Sequence, residues 1–383
     1  MKGVFIDDQD DQRDIISRLL EKSGIDFSSR VAPTKISEIR ARILDLNPDI
    51  IVMDYRLDEV HQDGYDGDFR AGGLAQNLRE AFLEYPEKDA PIVLLSTESN
   101  IRTLFQPDRT AHDLFDQWFL KDQVQDPDEA KREHVFRTLR GLITAYRSIK
   151  SLRTELNGEN AVRLLLGLSE SEVKVVQTDG LKPLLVNASG ELEATHHVAR
   201  QLLKQLILRP GILLDEASMR SRLGLSEDDD AGFMRLSEKA GFNSFIYEGV
   251  FSDGWIRYWR HRFNRWAGET FVEPLSGLTG GQRIKLINDH FDIEVQPAVS
   301  RWSETSEEYF AVACRVCNYP TEIRHSVAVF DPRPSVFADR GRVCFDCVDL
   351  EREMARREIR VEESEEETVR KIQNHEIKRP GEA

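Results

Sequence analysis

The chain has 383 residues, of which 40% are hydrophobic and 31% charged, and it carries a formal net charge of −16. That apolar content excludes a disordered chain, and its short apolar runs fall far short of the ~20 residues needed to cross a bilayer. The acid excess argues against a protein that coats nucleic acid indiscriminately, since phosphate binding requires positive charge. The N-terminus, Met1-Lys2-Gly3-Val4-Phe5-Ile6-Asp7-Asp8, turns acidic before a signal-peptide core forms, so a cytoplasmic location without membrane association is expected. The charge is uneven: residues 1–130 sum to −13, residues 131–300 to +1 and the last 83 to −4.

The first third alternates short apolar runs with helical periodicity. Val4-Phe5-Ile6 ends at Asp7-Asp8, and a helix face of Ile15, Ile16, Leu19 and Leu20 follows. Ile36, Ile39, Ile43 and Leu44 make a second helix, stopped near Asn47-Pro48. Residues 49–53 form a buried strand ending at Asp54, then Leu74, Leu78 and Phe82 mark a third helix. Residues 91–95 form a strand ending at Ser96-Thr97, and Leu114-Phe115 begins a short helix. Trp118-Phe119-Leu120 is a strand ending at Lys121, and residues 131–149 make a last helix. This alternation predicts an α/β fold with a doubly wound, five-stranded parallel sheet, in which ligands bind at the carboxyl ends of the strands. Those ends carry Asp7, Asp8, Asp54, Ser96 or Thr97, and Lys121.

Three carboxylates converging on one edge repel one another and call for a hard cation, and an oxygen-rich site with room for water suits Mg²⁺. A carboxylate is also a phosphoryl-accepting nucleophile when cationic groups stabilise the transferring oxygens. On these residues, about the first 130 positions resemble the receiver domain of two-component response regulators, which has a flavodoxin-like fold. The resemblance implies Asp54 as the phosphoacceptor, Asp8 and Asp54 as Mg²⁺ ligands with Asp7 assisting, and the backbone carbonyl of Arg56 completing the protein ligands. It further implies Ser96 as the sensor of the phosphoryl group, Lys121 as its ion partner, and a histidine kinase or other phosphodonor as a partner.

The sequence also departs from the family. Asp58 stands where a Pro is usual, and the matching glycine is Gly73, so the loop carries about eleven extra residues. The acidic, Gly-rich insert at 60–68 superficially resembles a calcium loop but lacks the closing Glu; a mobile lid or partner-contact loop is expected instead. Thr97 replaces the usual small residue and should narrow the approach to Asp54. Lys121 is followed by Asp122 where the family has Pro, and Trp118 takes the place of the family's switching aromatic.

In the middle, Leu164-Leu165-Leu166 with Val173, Val175 and Val176 suggests a small strand-containing unit, and residues 194–208 an amphipathic helix. Residues 213–226 look like the start of a helix-turn-helix, and a hairpin from Tyr247 to Tyr258 turning at Asp253-Gly254 would be a wing. Against DNA binding, the would-be recognition helix begins Glu227-Asp228-Asp229-Asp230. Residues 255–266 interleave aromatics with Arg257, Arg260, Arg262 and Arg265, a pattern that serves either single-strand stacking or protein packing. No Ser/His/Asp set, phosphate loop or open metal constellation appears here, so the chain is not expected to be an enzyme.

All four cysteines fall in two Cys-x-x-Cys pairs, Cys314/Cys317 and Cys344/Cys347, separated by 26 residues. In a reducing compartment this spacing points to structural Zn²⁺ with all four positions filled by protein, in a treble-clef or ribbon-like finger whose second pair enters a helix. His325 and His375 are spare and read as ordinary surface residues. Arg315, Arg324, Arg333, Arg340 and Arg342 lie in the finger loops, but the acidic run 362–367 would repel a duplex. The tail reads as an exposed charged helix or disorder.

The expected organisation is a receiver-like domain (1–150), an α+β or winged-helix-like middle domain (151–300), a four-cysteine zinc finger domain (301–360) and a charged tail (361–383). The expected function is a phosphorylation-responsive regulator acting through protein–protein contacts. The alternatives are a transcription regulator binding DNA through residues 211–266 or the finger, and a scaffold with a silent receiver.

Overall fold

A computed structural model describes residues 1–58, 69–107, 110–155, 158–176, 180–302, 307–350 and 359–377. The acidic insert at 60–68 lies outside the described residues, as does the part of the helix beyond Cys347 that was expected after residue 350. Two compact units emerge: Met1–Lys204 with Glu248–Trp255, and Gln205–Tyr247 with the chain from Ile256 onward.

The first unit is built on strands β1 (Lys2–Ile6), β2 (Asp26–Val31), β3 (Ile50–Met53), β4 (Ile92–Ser96) and β5 (Gln117–Leu120). They form one parallel sheet in the order β2-β1-β3-β4-β5. β1, β3 and β4 are buried almost throughout, as continuous Val/Ile/Leu runs require when both faces are covered. β2 has no such run. Its sequence, Asp-Phe-Ser-Ser-Arg-Val, offers only Phe27 and Val31 to the interior, which an edge strand tolerates, and it is the strand that apolar runs do not reveal. Gly3 admits it: a Cβ there would stand 2.4 Å from the Phe27 ring.

The helices are α1 (Asp10–Glu21), α2 (Ile36–Leu46), α3 (Ala71–Glu84), a short turn α4 (Glu98–Asn100) that continues as a wider turn over Ile101–Phe105, α5 (Lys121–Gln125) and α6 (Glu129–Glu155). Asn47, in the left-handed region at φ 46°, ends α2 ahead of Pro48. The helix expected from Leu114 is a single tight turn over Ala111–Asp113 that ends before it. α6 runs six residues beyond the expected end at 149.

The expected strands around 164–176 are helices, Gly158–Leu165 and Glu170–Val176. In the first, Ala161, Val162 and Leu165 are buried and Leu164 is exposed, which is helical spacing for one face and not alternation. The expected wing is also absent. Tyr247 N still donates to Arg257 O at 2.8 Å, but the residues between them form turns that pack on the first unit. Val250 N donates to Leu165 O, and a Cβ on Gly141 of α6 would meet Gly254 Cα at 2.5 Å. Two facing glycines let the backbones touch there.

The second unit has an aromatic core: Phe233, Phe242, Phe245, Tyr258, Phe263 and Phe271 with Leu214, Leu223, Leu236 and Ile287. Its C-terminal part is a set of short antiparallel pairs, Val312–Ala313 with Pro320–Thr321 and Ser326–Ala328 with Arg342–Cys344, followed by helix Phe345–Asp349. The tail is not loose where it is described. Helix Glu366–Gln373 buries Ile372 completely against Val327, Val343 and Val348. The acidic run before it pairs with arginines near the cysteine pairs, Glu362 with Arg340 and Glu365 with Arg342.

Candidate functional site

Register places the acids. Ile6 pairs with Met53 across β1 and β3, so Asp7 and Asp54 leave the sheet side by side, and Asp54 N donates to Ile6 O at 2.9 Å. Ser96 pairs with Leu120 across β4 and β5, which brings Lys121 beside them. Asp7, Asp8 and Asp54, all buried, each offer a carboxylate oxygen within 4.8 Å of the others. Lys121 Nζ reaches Asp7 Oδ2 at 2.8 Å and Asp54 Oδ2 at 3.3 Å.

The electrostatics are those of an underneutralised pocket. Burial, with Asp7 adding to it, raises the Asp54 carboxyl above its ordinary value although Lys121 opposes the rise. Burial alone would lower Lys121; Asp54 and Asp7 outweigh it and raise it, so its ammonium stays charged. Three carboxylates face the Lys121 ammonium, with the Arg13 guanidinium acting on Asp7 and Asp8, and Asp54 Oδ1 is buried without a well-formed hydrogen bond. The donor set is oxygen only and fits a hard divalent cation, which would supply charge to oxygens brought to Asp54.

Ser96 is fully buried at the end of β4 and accepts from Asn100 Nδ2 at 3.3 Å. Thr97 is exposed, and its hydroxyl caps α4 by accepting from Asn100 N. Arg56 is exposed just past Asp54; its backbone bridges Arg70 and its Nε lies 3.4 Å from Asp58. Trp118 sits on edge strand β5 and is 39% exposed. Three supporting residues escaped the sequence reading. Arg13 Nη1 donates to Asp7 O at 2.7 Å, Asn100 holds Ser96, and Tyr55, buried next to Asp54, donates to Leu104 O at 3.3 Å. Only their spacing from the strand ends hinted at these roles.

The cysteines form a second site. Cys314, Cys317, Cys344 and Cys347 bring their sulfurs within 4.8 Å of one another, and none is in a disulfide. The Cys317 and Cys344 sulfurs are 3.8 Å apart. Four thiolates about 2.3 Å from one zinc stand roughly 3.8 Å apart, so the cluster has the dimensions of a tetrahedral centre. The first pair lies on a knuckle turned by Asn318 at φ 62°, with Cys314 N bonded to Tyr319 O. Cys344 ends a strand and Cys347 lies in the following helix. Amides of Val316 and Cys344 donate to Cys314 Sγ at 3.4 and 3.3 Å, and hydrogen bonding with the other three cysteines pulls the Cys314 thiol down. His325 is not a surface residue: it is partly buried, with Nδ1 3.2 Å from Glu322 Oε2. His375 is exposed.

The basic-aromatic segment turns its rings inward. Trp255, Tyr258, Trp259 and Phe263 are buried, and Trp266 stacks on Phe291 at 6.2 Å. Arg257 donates to Ile207 O, Arg260 to Asp339, and Arg262 to Ser244 O; Arg265 is exposed. The acids at 227–230 belong to a local network in which buried Arg220 binds Glu216 at 2.6 Å and Asp230 at 2.7 Å.

No family model matches the chain, and no curated protein matches it in sequence. Solved structures similar to its N-terminal region include the BeF3-activated receiver domain of Klebsiella pneumoniae RstA (20% identity, 37% of this chain and 98% of that one, TM-score 0.26). The Vibrio cholerae chemotaxis protein CheY4 (18%, 37% and 97%, TM-score 0.25) and a receiver domain from Clostridium thermocellum (13%, 38% and 96%, TM-score 0.26) are also similar. By its own strand order and the placement of its strand-end residues, the N-terminal region of this chain resembles a response-regulator receiver domain.

Proposed function

We propose that the protein is a phosphorylation-responsive regulator in which Asp54 accepts a phosphoryl group. The observation that carries this reading is the meeting of Asp7, Asp8, Asp54 and Lys121 at adjacent strand ends, with Lys121 within ion-pair reach of Asp7 and Asp54. An ionised Asp54 oxygen attacks the phosphorus of an acyl phosphate or a phosphohistidine, and the leaving group departs with the bonding pair. Lys121 stabilises the oxygens of the transferring group, and Ser96 stands ready to donate its hydroxyl to them. A divalent cation held by Asp8 and Asp54, with Asp7 assisting and the Arg56 carbonyl as a further ligand, supplies the remaining positive charge.

The phosphodonor is a histidine kinase or a small acyl phosphate, and the output is a change in protein–protein contacts, not a second enzymatic reaction. The four cysteines hold a structural zinc that fixes the C-terminal fold. We place the protein in the cytoplasm; no helix among the described residues is long and apolar enough to cross a membrane. The buried rings and partnered arginines of residues 255–266 support packing as that segment's role over nucleic-acid stacking.

The test is incubation of the full chain with acetyl phosphate and Mg²⁺, followed by intact mass measurement. One phosphoryl adduct is expected on the wild type and none on Asp54→Asn. An unmodified wild type that also shows no change with beryllofluoride, in the presence of its kinase, would refute the reading.

A further inference from the structure

The second unit contains a cavity of about 900 Å³ that none of the cysteines or strand-end acids lines. It is within the size range of small-molecule sites. Its wall is largely apolar, formed by Phe263, Phe271 and Phe310 among others, and Val272 and Ile323 stand exposed along it.

Three arginines interrupt that wall: Arg324, which is exposed and paired with Glu308 and Glu322, and the more deeply placed Arg283 and Arg222. Arg283 is 2% exposed. Its Nε donates to Leu278 O at 3.0 Å, and its Nη1 to Phe310 O at 2.8 Å, Arg222 O at 3.0 Å and Ser221 O at 3.4 Å. Every acceptor is a neutral carbonyl. Among the described residues no carboxylate pairs with this guanidinium, and Nη2 has no hydrogen-bond acceptor. Its charged neighbour is instead Arg222, and burial together with that second cation lowers Arg283 to about 10. Arg222 binds Asp339 at 2.9 Å through Nη2, but its buried Nε has no hydrogen bond. The one acid on the wall, Glu322, is committed to Arg324 at 2.6 Å and to Tyr309 N at 2.6 Å. A buried cation without a counter-charge is costly, and a hydrogen-bonded anion is what relieves it.

We propose that this cavity binds a small amphipathic organic anion, an aromatic or aliphatic body ending in a single carboxylate, sulfonate or phosphate. The anionic head pairs with Arg283 and with the open Nε of Arg222, and the body lies along Phe263, Phe271 and Phe310. Charge-assisted hydrogen bonds supply selectivity for the anion, and apolar burial supplies the remaining affinity. This site is independent of Asp54 and of zinc.

The test uses 1-anilinonaphthalene-8-sulfonate, titrated into the full chain and followed by its fluorescence, beside the uncharged N-phenyl-1-naphthylamine. Saturable one-to-one binding of the sulfonate is expected, with markedly weaker binding of the neutral compound. Arg283→Met should weaken sulfonate binding about tenfold or more and leave the neutral compound unchanged. A Cβ at Gly268, on the cavity wall, meets nothing within 4 Å, so Gly268→Trp enters open space. That variant should abolish binding without lowering the thermal midpoint, and it decides the matter together with the neutral compound should Arg283→Met fail to fold. Equal binding of both compounds, sulfonate binding untouched by Gly268→Trp, or no saturation below about 1 mM would each overturn the proposal.

Discussion

The two edges of the five-stranded sheet each bury a cluster of charges, and the two clusters are held by different partners. At the carboxyl edge, Asp7, Asp8 and Asp54 meet one lysine, and Asp54 keeps an oxygen without a well-formed hydrogen bond. At the amino edge, Arg79 donates to Asp116 at 2.8 Å, to Leu114 O and to Ala90 O, with Asp89 at 3.6 Å. Tyr146 of α6 donates to the other oxygen of Asp116 at 2.7 Å. His196 binds Asp89 through its amide at 2.9 Å and through Nδ1 at 2.7 Å. Burial opposes the charge on Arg79, but Tyr146, Asp116 and Asp89 outweigh it and keep it above its ordinary value. The amino-edge cluster sets two carboxylates against one guanidinium but surrounds them with donors from a phenol, an imidazole and backbone amides, and it ties α3, the strand starts, α6 and the helix Thr195–Leu202 into one body. The carboxyl-edge cluster sets three carboxylates against Lys121 and the neighbouring Arg13, which leaves a negative site suited to a hard cation. Equal burial therefore serves two ends, and the donors gathered around each carboxylate decide which.

Breaking the amino-edge cluster should have the largest effect. Arg79→Met strands two buried carboxylates and should destabilise the first unit by about 3–5 kcal/mol, measured by urea unfolding. A loss below about 1 kcal/mol would mean that the network does not hold the unit together.

The acid pocket should respond in the opposite direction. Asp54 has a raised pKa in the folded chain, so the stability it contributes is fully present below the ordinary carboxyl value and is lost as pH rises through the raised one. Asp54→Asn should therefore match the wild type at low pH and exceed its thermal midpoint at neutral pH. Mg²⁺ should raise the midpoint of the wild type and close that gap, with little effect on the variant. An Asp54→Asn protein less stable than the wild type at neutral pH would contradict the picture of an underneutralised pocket.

The smallest effect is expected beside the amino-edge cluster. His197 is lowered to about 4, by burial first and then by His196 and Arg200. A depressed histidine contributes stability that is present above its ordinary value of 6.5 and lost as pH falls through 4. His197→Gln should flatten the decline of the thermal midpoint between those pH values. An unchanged slope would show that His197 does not sense its neighbours.

The strand-end acids, Lys121 and the paired cysteines were legible in the sequence because their chemistry is tied to local order. An Asp directly after an apolar strand must lie at the sheet's carboxyl edge, and a two-residue gap lets both thiolates of a pair reach one metal. Strand β2 was not legible, since an edge strand buries too few side chains to leave an apolar run. The helices at 158–176 were mistaken for strands because short runs of Leu and Val carry little period. What only the tertiary structure decided is where distant residues become neighbours. Arg79 meets Asp116 37 positions away, and Asp89 meets His196 107 away. Residues 248–255 leave their sequence neighbours to pack on α6, where two glycines allow it. The rings of residues 255–266 turn into the core, and Arg283 comes to rest without a counter-charge. Such matters depend on which surfaces a compact chain must bury together, and no local pattern records them.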